Sequence, residues 1–225
     1  MKPRNLLLLT ALTLEAKAVA AAFEINPPSG KRLLTELRPG VSLRLIGLRG
    51  VRLQAEHLTG FDAVILAGIA GGLDPSLVVG DLIVDTPDTT PDVPDAFPTL
   101  AQYRHGRIIT CKDPITTTDG KAALLAETGA IAAEMEADHV RQLTSAAGLP
   151  FAQIRAISDT ASEAIPEEPL NWIDDLGAPK MTKVTFGLMK HPKLLPILQK
   201  LSHQADKAAD TVAHALLKAI DAWKD

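Results

Sequence analysis

Cysteine is nearly absent from this chain: Cys111 is the single one in 225 residues. An intramolecular disulfide and a cysteine-based zinc cage are both excluded, and a reducing compartment is the expectation. Aromatic residues make up 4%, too few for the stacking platforms that bind single-stranded nucleic acid. Positive charge is not in excess: 23 Lys and Arg stand against 27 Asp and Glu, a formal net charge of −4. A nucleic-acid partner is therefore not expected. No apolar run approaches the roughly 20 residues of a membrane-spanning helix. The charged start, Met1 to Asn5, precedes an apolar run, Leu6 to Leu9, shorter than a secretory core, and Glu15 and Lys17 follow it. These features predict a cytoplasmic protein without an integral membrane segment.

What is present is a globular balance, 46% apolar and 22% charged, and the length predicts a single domain over residues 1–225. Asn5–Thr10 reads as a buried first strand, and Leu14–Phe23 as a helix capped by Thr13. Further strands are expected at Val41–Ile46, Asp62–Ala67, Val78–Val84, Arg107–Thr110, Ala130–Ala133 and Phe151–Ile157. Helices are expected at Asp119–Glu127 and Met135–Ala147, each ended by a glycine, and from near Pro192 to the end. Gly68 to Gly72 reads as a glycine-rich turn after a strand, Pro87–Pro98 as a long loop, and Glu163–Pro179 as irregular. Strands alternating with helices imply an α/β fold of three layers, α/β/α, around a central mixed sheet.

Four places carry residues suited to chemistry. Gly68, Gly71 and Gly72 follow a strand without the dinucleotide or Walker spacing; they read as a tight turn or as a close approach of backbone to a ligand. Glu134-Met135-Glu136 stands where a helix begins, so its carboxylates serve the helix dipole or accept from sugar hydroxyls. Ser158-Asp159 ends an apolar strand, where open α/β sheets bind ligands, though Ser-Asp also caps helices. Glu15 alone is an ordinary surface charge. The six histidines lack metal-ligand spacing, so they read as surface or supporting groups and not as metal ligands. Cys111 reads as a buried thiol.

Taken in order, these segments resemble the nucleoside phosphorylase and nucleosidase superfamily. The resemblance rests on Thr10-Ala-Leu-Thr-Leu-Glu15-Ala, Ala67-Gly-Ile-Ala-Gly-Gly-Leu-Asp74 with Gly80-Asp81, Glu134-Met-Glu-Ala137 and Arg155-Ala-Ile-Ser-Asp159, and runs from about Asn5 to Pro166. Lys121-Ala-Ala-Leu, Thr128-Gly-Ala130, Gly148-Leu-Pro-Phe151 and Ile165-Pro166 look closest to the hopanoid-associated phosphorylase branch. The resemblance implies a homo-oligomer that cleaves the N-glycosidic bond of a purine nucleoside, with adenine as the expected base and a modified ribose 5′ position. Water or phosphate would be the acceptor, with no metal or organic cofactor; the branch implies phosphate and an adenosylhopane-type substrate, and an apolar patch formed by the Pro87–Pro98 loop and the Glu163–Met189 stretch would allow transient membrane contact. By residue, it implies Asp159 as general acid held by Ser158, and Glu15 as the carboxylate positioning water. Met135 and Glu136 would meet the ribose, Ala70 and Gly71 would line the cleft, and Arg155 would join the substrate-binding group. Departures are Ile69, where many relatives carry Ser or Thr, Arg49 in place of a Gly-x-Gly turn, and Thr110-Cys-Lys-Asp113, which lacks an aromatic to stack on the base. A nucleoside-binding protein of the same fold without catalysis is the alternative.

Overall fold

The computed structural model describes residues 3–85 and 97–222. The chain opens with strand β1, Leu6–Thr10, buried along its whole length. Leu6 and Leu8 enter one apolar cluster and Leu7 and Leu9 the other, so both faces of the strand are covered and no polar alternation is needed. Helix α1, Thr13–Ala22, turns Ala16, Val19 and Ala20 onto the first cluster. Strands β2, Leu34–Arg38, and β3, Val41–Leu45, form a hairpin at the sheet edge. β2 escapes a sequence reading because its inward residues include Thr35 while Leu34 faces solvent.

β4, Ala63–Gly72, corrects the expected glycine turn: Gly68, Gly71 and Gly72 are strand residues with no positive φ. β5, Leu82–Asp85, is shorter than expected, because Val78 to Asp81 is a turn closed by Val78 N–H donating to Asp81, with Gly80 at φ +99°. The loop expected at Pro87–Pro98 lies, through residue 96, outside the described residues. β6, Arg104–Gly106, and β7, Ile108–Thr110, follow. Helix α2, Thr118–Thr128, is capped by the Thr117 side chain and closed by Gly129 in the left-handed conformation. β8, Ala132–Glu134, leads into α3, Ala137–Ala146, so Met135 and Glu136 belong to the connection and not to the helix. β9 spans Phe151–Asp159. Helix α4, Met181–Lys190, follows the stretch expected to be irregular, and the last helix is α5, Leu194–Asp221.

The sheet is mixed, in the order β2-β3-β1-β4-β9-β5-β6, with β8 pairing β4 and β7 beside it. β1, β3, β4 and β9 run parallel, whereas β8 joins β4 and β5 joins β9 antiparallel. Helices α1 and α5 cover one face through Val19, Ala208, Val212 and Leu216. α3 covers the other through Ala137 and Val140. The three expected layers are present. Trp223, expected on the last helix, lies outside the described residues.

Candidate active site

The carboxyl ends of parallel strands β1, β4 and β9 open on the same side, and the end of β8 meets them there. Ligands in sheets of this type bind outside those ends. A cleft of about 210 Å³ lies there, lined by Glu15, Ala70, Gly71, Met135, Glu136, Ser158 and Asp159 together with mostly apolar walls from Leu12, Leu48, Leu73, Pro114, Ile115 and Ile165. Seven of the eight residues expected from sequence therefore share one surface, from segments up to 144 positions apart.

Beneath this surface sits a buried charge cluster. The Glu15 carboxylate accepts hydrogen bonds from the backbone N–H of Ala11 (2.9 Å), Leu12 (2.8 Å) and Ile69 (2.8 Å). An ionised carboxyl has about four acceptor sites, so one remains for a ligand. Burial pushes its pKa up to about 7, against the pull of the Arg155 guanidinium and the backbone donors. Arg155 is fully buried and does not line the cleft, a different place from the substrate contact the sequence implied. It donates to Glu134 and to Glu136 (3.1 Å), and lies near enough to Glu15 to act on its charge. β4 makes room for this cluster: a Cβ at Gly68 would collide with the Glu15 carboxylate and come within 2.7 Å of the Arg155 guanidinium.

The two glutamates around Met135 divide the tasks that sequence left open. Glu134 accepts from the N–H of Glu136 and Ala137 at the start of α3, from the Thr110 hydroxyl and from Arg155. It caps the helix and has no acceptor site left. Among the described residues Glu136 accepts only from Arg49 N–H (3.1 Å) and Arg155, so each oxygen keeps one site. Burial raises its pKa while Arg155 opposes. Arg49 serves by its backbone, held at φ +58°; its side chain pairs with Asp113 and bonds the Lys112 carbonyl.

Asp159 reaches the cleft through an irregularity. Ala70 pairs with Ile157 and Gly71 with Asp159, which leaves Ser158 as an extra residue on β9. Such a bulge re-aims the side chains at a strand end. The Ser158 hydroxyl donates to one Asp159 oxygen (2.8 Å) and the Lys121 ammonium to the other (2.5 Å). Opposite stands Gly71, where a Cβ would come within 3.3 Å of the Asp159 carboxylate. Cys111 also lines the cleft, with its thiol pKa raised first by burial and then by Glu134. Sequence reasoning missed Lys121 as a site residue, and no local signal marks a lysine for burial. Among the described residues no group of three or more His, Cys, Asp or Glu side chains could hold a metal ion.

A sequence model of the phosphorylase superfamily matches residues 91–190. The chain is 28% identical to the futalosine hydrolase of Streptomyces coelicolor, over 75% of this chain and 88% of that one. Both matches support the resemblance to the phosphorylase superfamily. Two solved structures share the fold of this chain. The 5′-methylthioadenosine/S-adenosylhomocysteine nucleosidase of Helicobacter pylori, bound to butyl-thio-DADMe-Immucillin-A, aligns at a TM-score of 0.68 with 19% identity, covering 97% of this chain and 98% of that one. The futalosine hydrolase of Helicobacter pylori aligns at 0.65 with 18% identity and the same coverages.

Proposed function

We propose that this protein hydrolyses the N-glycosidic bond of a purine nucleoside modified at the ribose 5′ position. The observation that carries the reading is the convergence of Glu15, Glu136 and Asp159 on one cleft, each with acceptor capacity left after its protein partners are counted. Cleavage passes through an oxocarbenium-like sugar while negative charge builds on the leaving base. In this reading Glu136 holds the ribose hydroxyls, with Met135 against the sugar. Asp159 gives a proton to the imidazole nitrogen of the purine, so the base leaves neutral as the electron pair of the C1′–N bond passes to it. Glu15 orients water at C1′ and takes its proton. No cofactor is called for, because the carboxylates supply both acid and base.

Water is favoured over phosphate by the charge of the walls. Lys121 is the one cationic residue among the described residues lining the cleft, and its ammonium is bonded within the protein. A phosphate dianion would meet carboxylates instead. Residues 1–225 are read as one domain, acting in the cytoplasm as a homo-oligomer. The exposed Met181, Phe186 and Met189 on α4 offer a surface that a second copy would cover.

The adenosyl-lipid substrate of the hopanoid-associated branch is a second reading, favoured by the same surface. The segment leading into α4 borders the cleft, with Gly177 against Leu12 and the Asp175 carbonyl accepting from Leu48 N–H. The exposed apolar side chains that follow this segment suit a lipid-like 5′ substituent.

The test is base release from adenosine, methylthioadenosine, S-adenosylhomocysteine and futalosine, each with and without phosphate, read by chromatography. Base with free sugar in phosphate-free buffer is the expected result. Release that requires phosphate overturns hydrolysis, and calorimetric binding without release assigns the protein to nucleoside binding alone.

A further inference from the structure

We propose that Lys121 is a positioning residue for protonation of the leaving base, acting through Asp159. The inference rests on the reading of Asp159 as general acid. Lys121 is carried by α2 and its side chain is 1% exposed. Its three N–H donors are all used: on Asp159 Oδ2 at 2.5 Å, on the Thr160 carbonyl at 2.7 Å and on the Glu163 carbonyl at 2.9 Å. A lysine has three donors, so none is left for a ligand, and any effect on the reaction passes through Asp159.

The placement has a chemical consequence. Lys121 on Oδ2 and Ser158 on Oδ1 fix the plane of the carboxyl group from both sides, with one position on each oxygen left over. When the C1′–N bond breaks, its electron pair goes to the base, the proton of Asp159 goes to the base nitrogen, and a carboxylate remains. The ammonium beside it stabilises that new charge without giving up a proton of its own, and Asp159 regains its proton from solvent between turnovers. Tying α2 to the loop after β9 requires only neutral donors, because the other two acceptors are carbonyls. A buried cation is a costly tie, and here it stands on the aspartate that faces the cleft.

The experiment compares two leaving groups in Lys121→Met and Lys121→Arg. One substrate is methylthioadenosine, whose base needs a proton. The other is 4-nitrophenyl β-D-ribofuranoside, whose nitrophenolate leaves without one. Loss of assisted protonation predicts that Lys121→Met slows adenine release by about 100-fold. Nitrophenolate release stays within about threefold of wild type, because that step does not use the acid. Lys121→Arg, which keeps the cation, recovers part of the adenine rate. The nitrophenyl substrate also reports that the variant is folded. Equal loss on both substrates assigns Lys121 to structure alone, and no loss on either removes it from the reaction; both overturn the inference while leaving the proposed function standing. A wild-type protein that releases no base from any purine nucleoside overturns the proposed function, and this inference with it.

Discussion

Glu15 keeps one acceptor site for a ligand, and its proton affinity sets the pH at which that site can bind a water proton. With a pKa near 7 it is half ionised at neutrality, so the limb of kcat/KM that Glu15 controls is expected to rise with pH through about 7, and a pH–rate profile checks this. The same burial affects stability in the opposite direction. The ordinary value is 4.5 and the folded value about 7. The native state therefore binds the proton more tightly, and the stabilisation is complete below pH 4.5 and lost as pH rises through about 7. A gap of about 2.5 corresponds to about 3 kcal/mol. Urea denaturation at pH 4.5 and pH 8 should show a steeper fall for the wild type than for Glu15→Gln. At Asp159 the expected outcome is asymmetric. Asp159→Asn loses at least about 100-fold in turnover by removing the acid. It also sets an amide against the Lys121 ammonium where a carboxyl oxygen accepted from it, so a lowered melting temperature accompanies the loss while circular dichroism keeps its native form. Arg155→Met leaves Glu134 and Glu136 buried together without a cation and is expected to cost about 3–5 kcal/mol in the same denaturation assay.

At the scale of elements, β4 and β9 set what the site can be. Gly68 lies in a strand because the Glu15 carboxylate and the Arg155 guanidinium occupy the space of a side chain. Gly68→Ala is expected to cost about 1–3 kcal/mol by overpacking, measurable in urea, and to reduce turnover by moving Glu15. The sequence shows three glycines after an apolar run; it does not show whether they turn the chain or clear space, because the group that needs the space comes from residue 15. The bulge at Ser158 is hidden for a similar reason: register is a property of two strands, and Ser-Asp at a strand end reads the same with or without it. Legible from sequence were the strand-ending position of Ser158-Asp159, the helix boundaries marked by Gly129 and Gly148, and the proximity of Met135 and Glu136 to a helix start. The split between Glu134, whose acceptor sites are filled, and Glu136, which keeps free ones, was not, since it depends on which backbone N–H groups each carboxylate meets. Lys121 and Asp159 are 38 positions apart, and a lysine near a helix start carries no sign that it will be buried.

At the scale of the molecule, the parallel order β3-β1-β4-β9 brings residues 15, 70 and 159 to the carboxyl ends of the strands, where the end of β8 delivers residue 136. Alternating strands and helices make this layered architecture readable in advance, and the superfamily resemblance placed its residues in order. The central claim is that the cleft directs water to C1′ of a nucleoside. It is tested most directly by turnover of methylthioadenosine in ¹⁸O-water without phosphate, with the sugar analysed by mass spectrometry. The account predicts free adenine and one solvent oxygen on the anomeric carbon of the sugar. A sugar 1-phosphate formed only when phosphate is added, without solvent oxygen at that carbon, would contradict it.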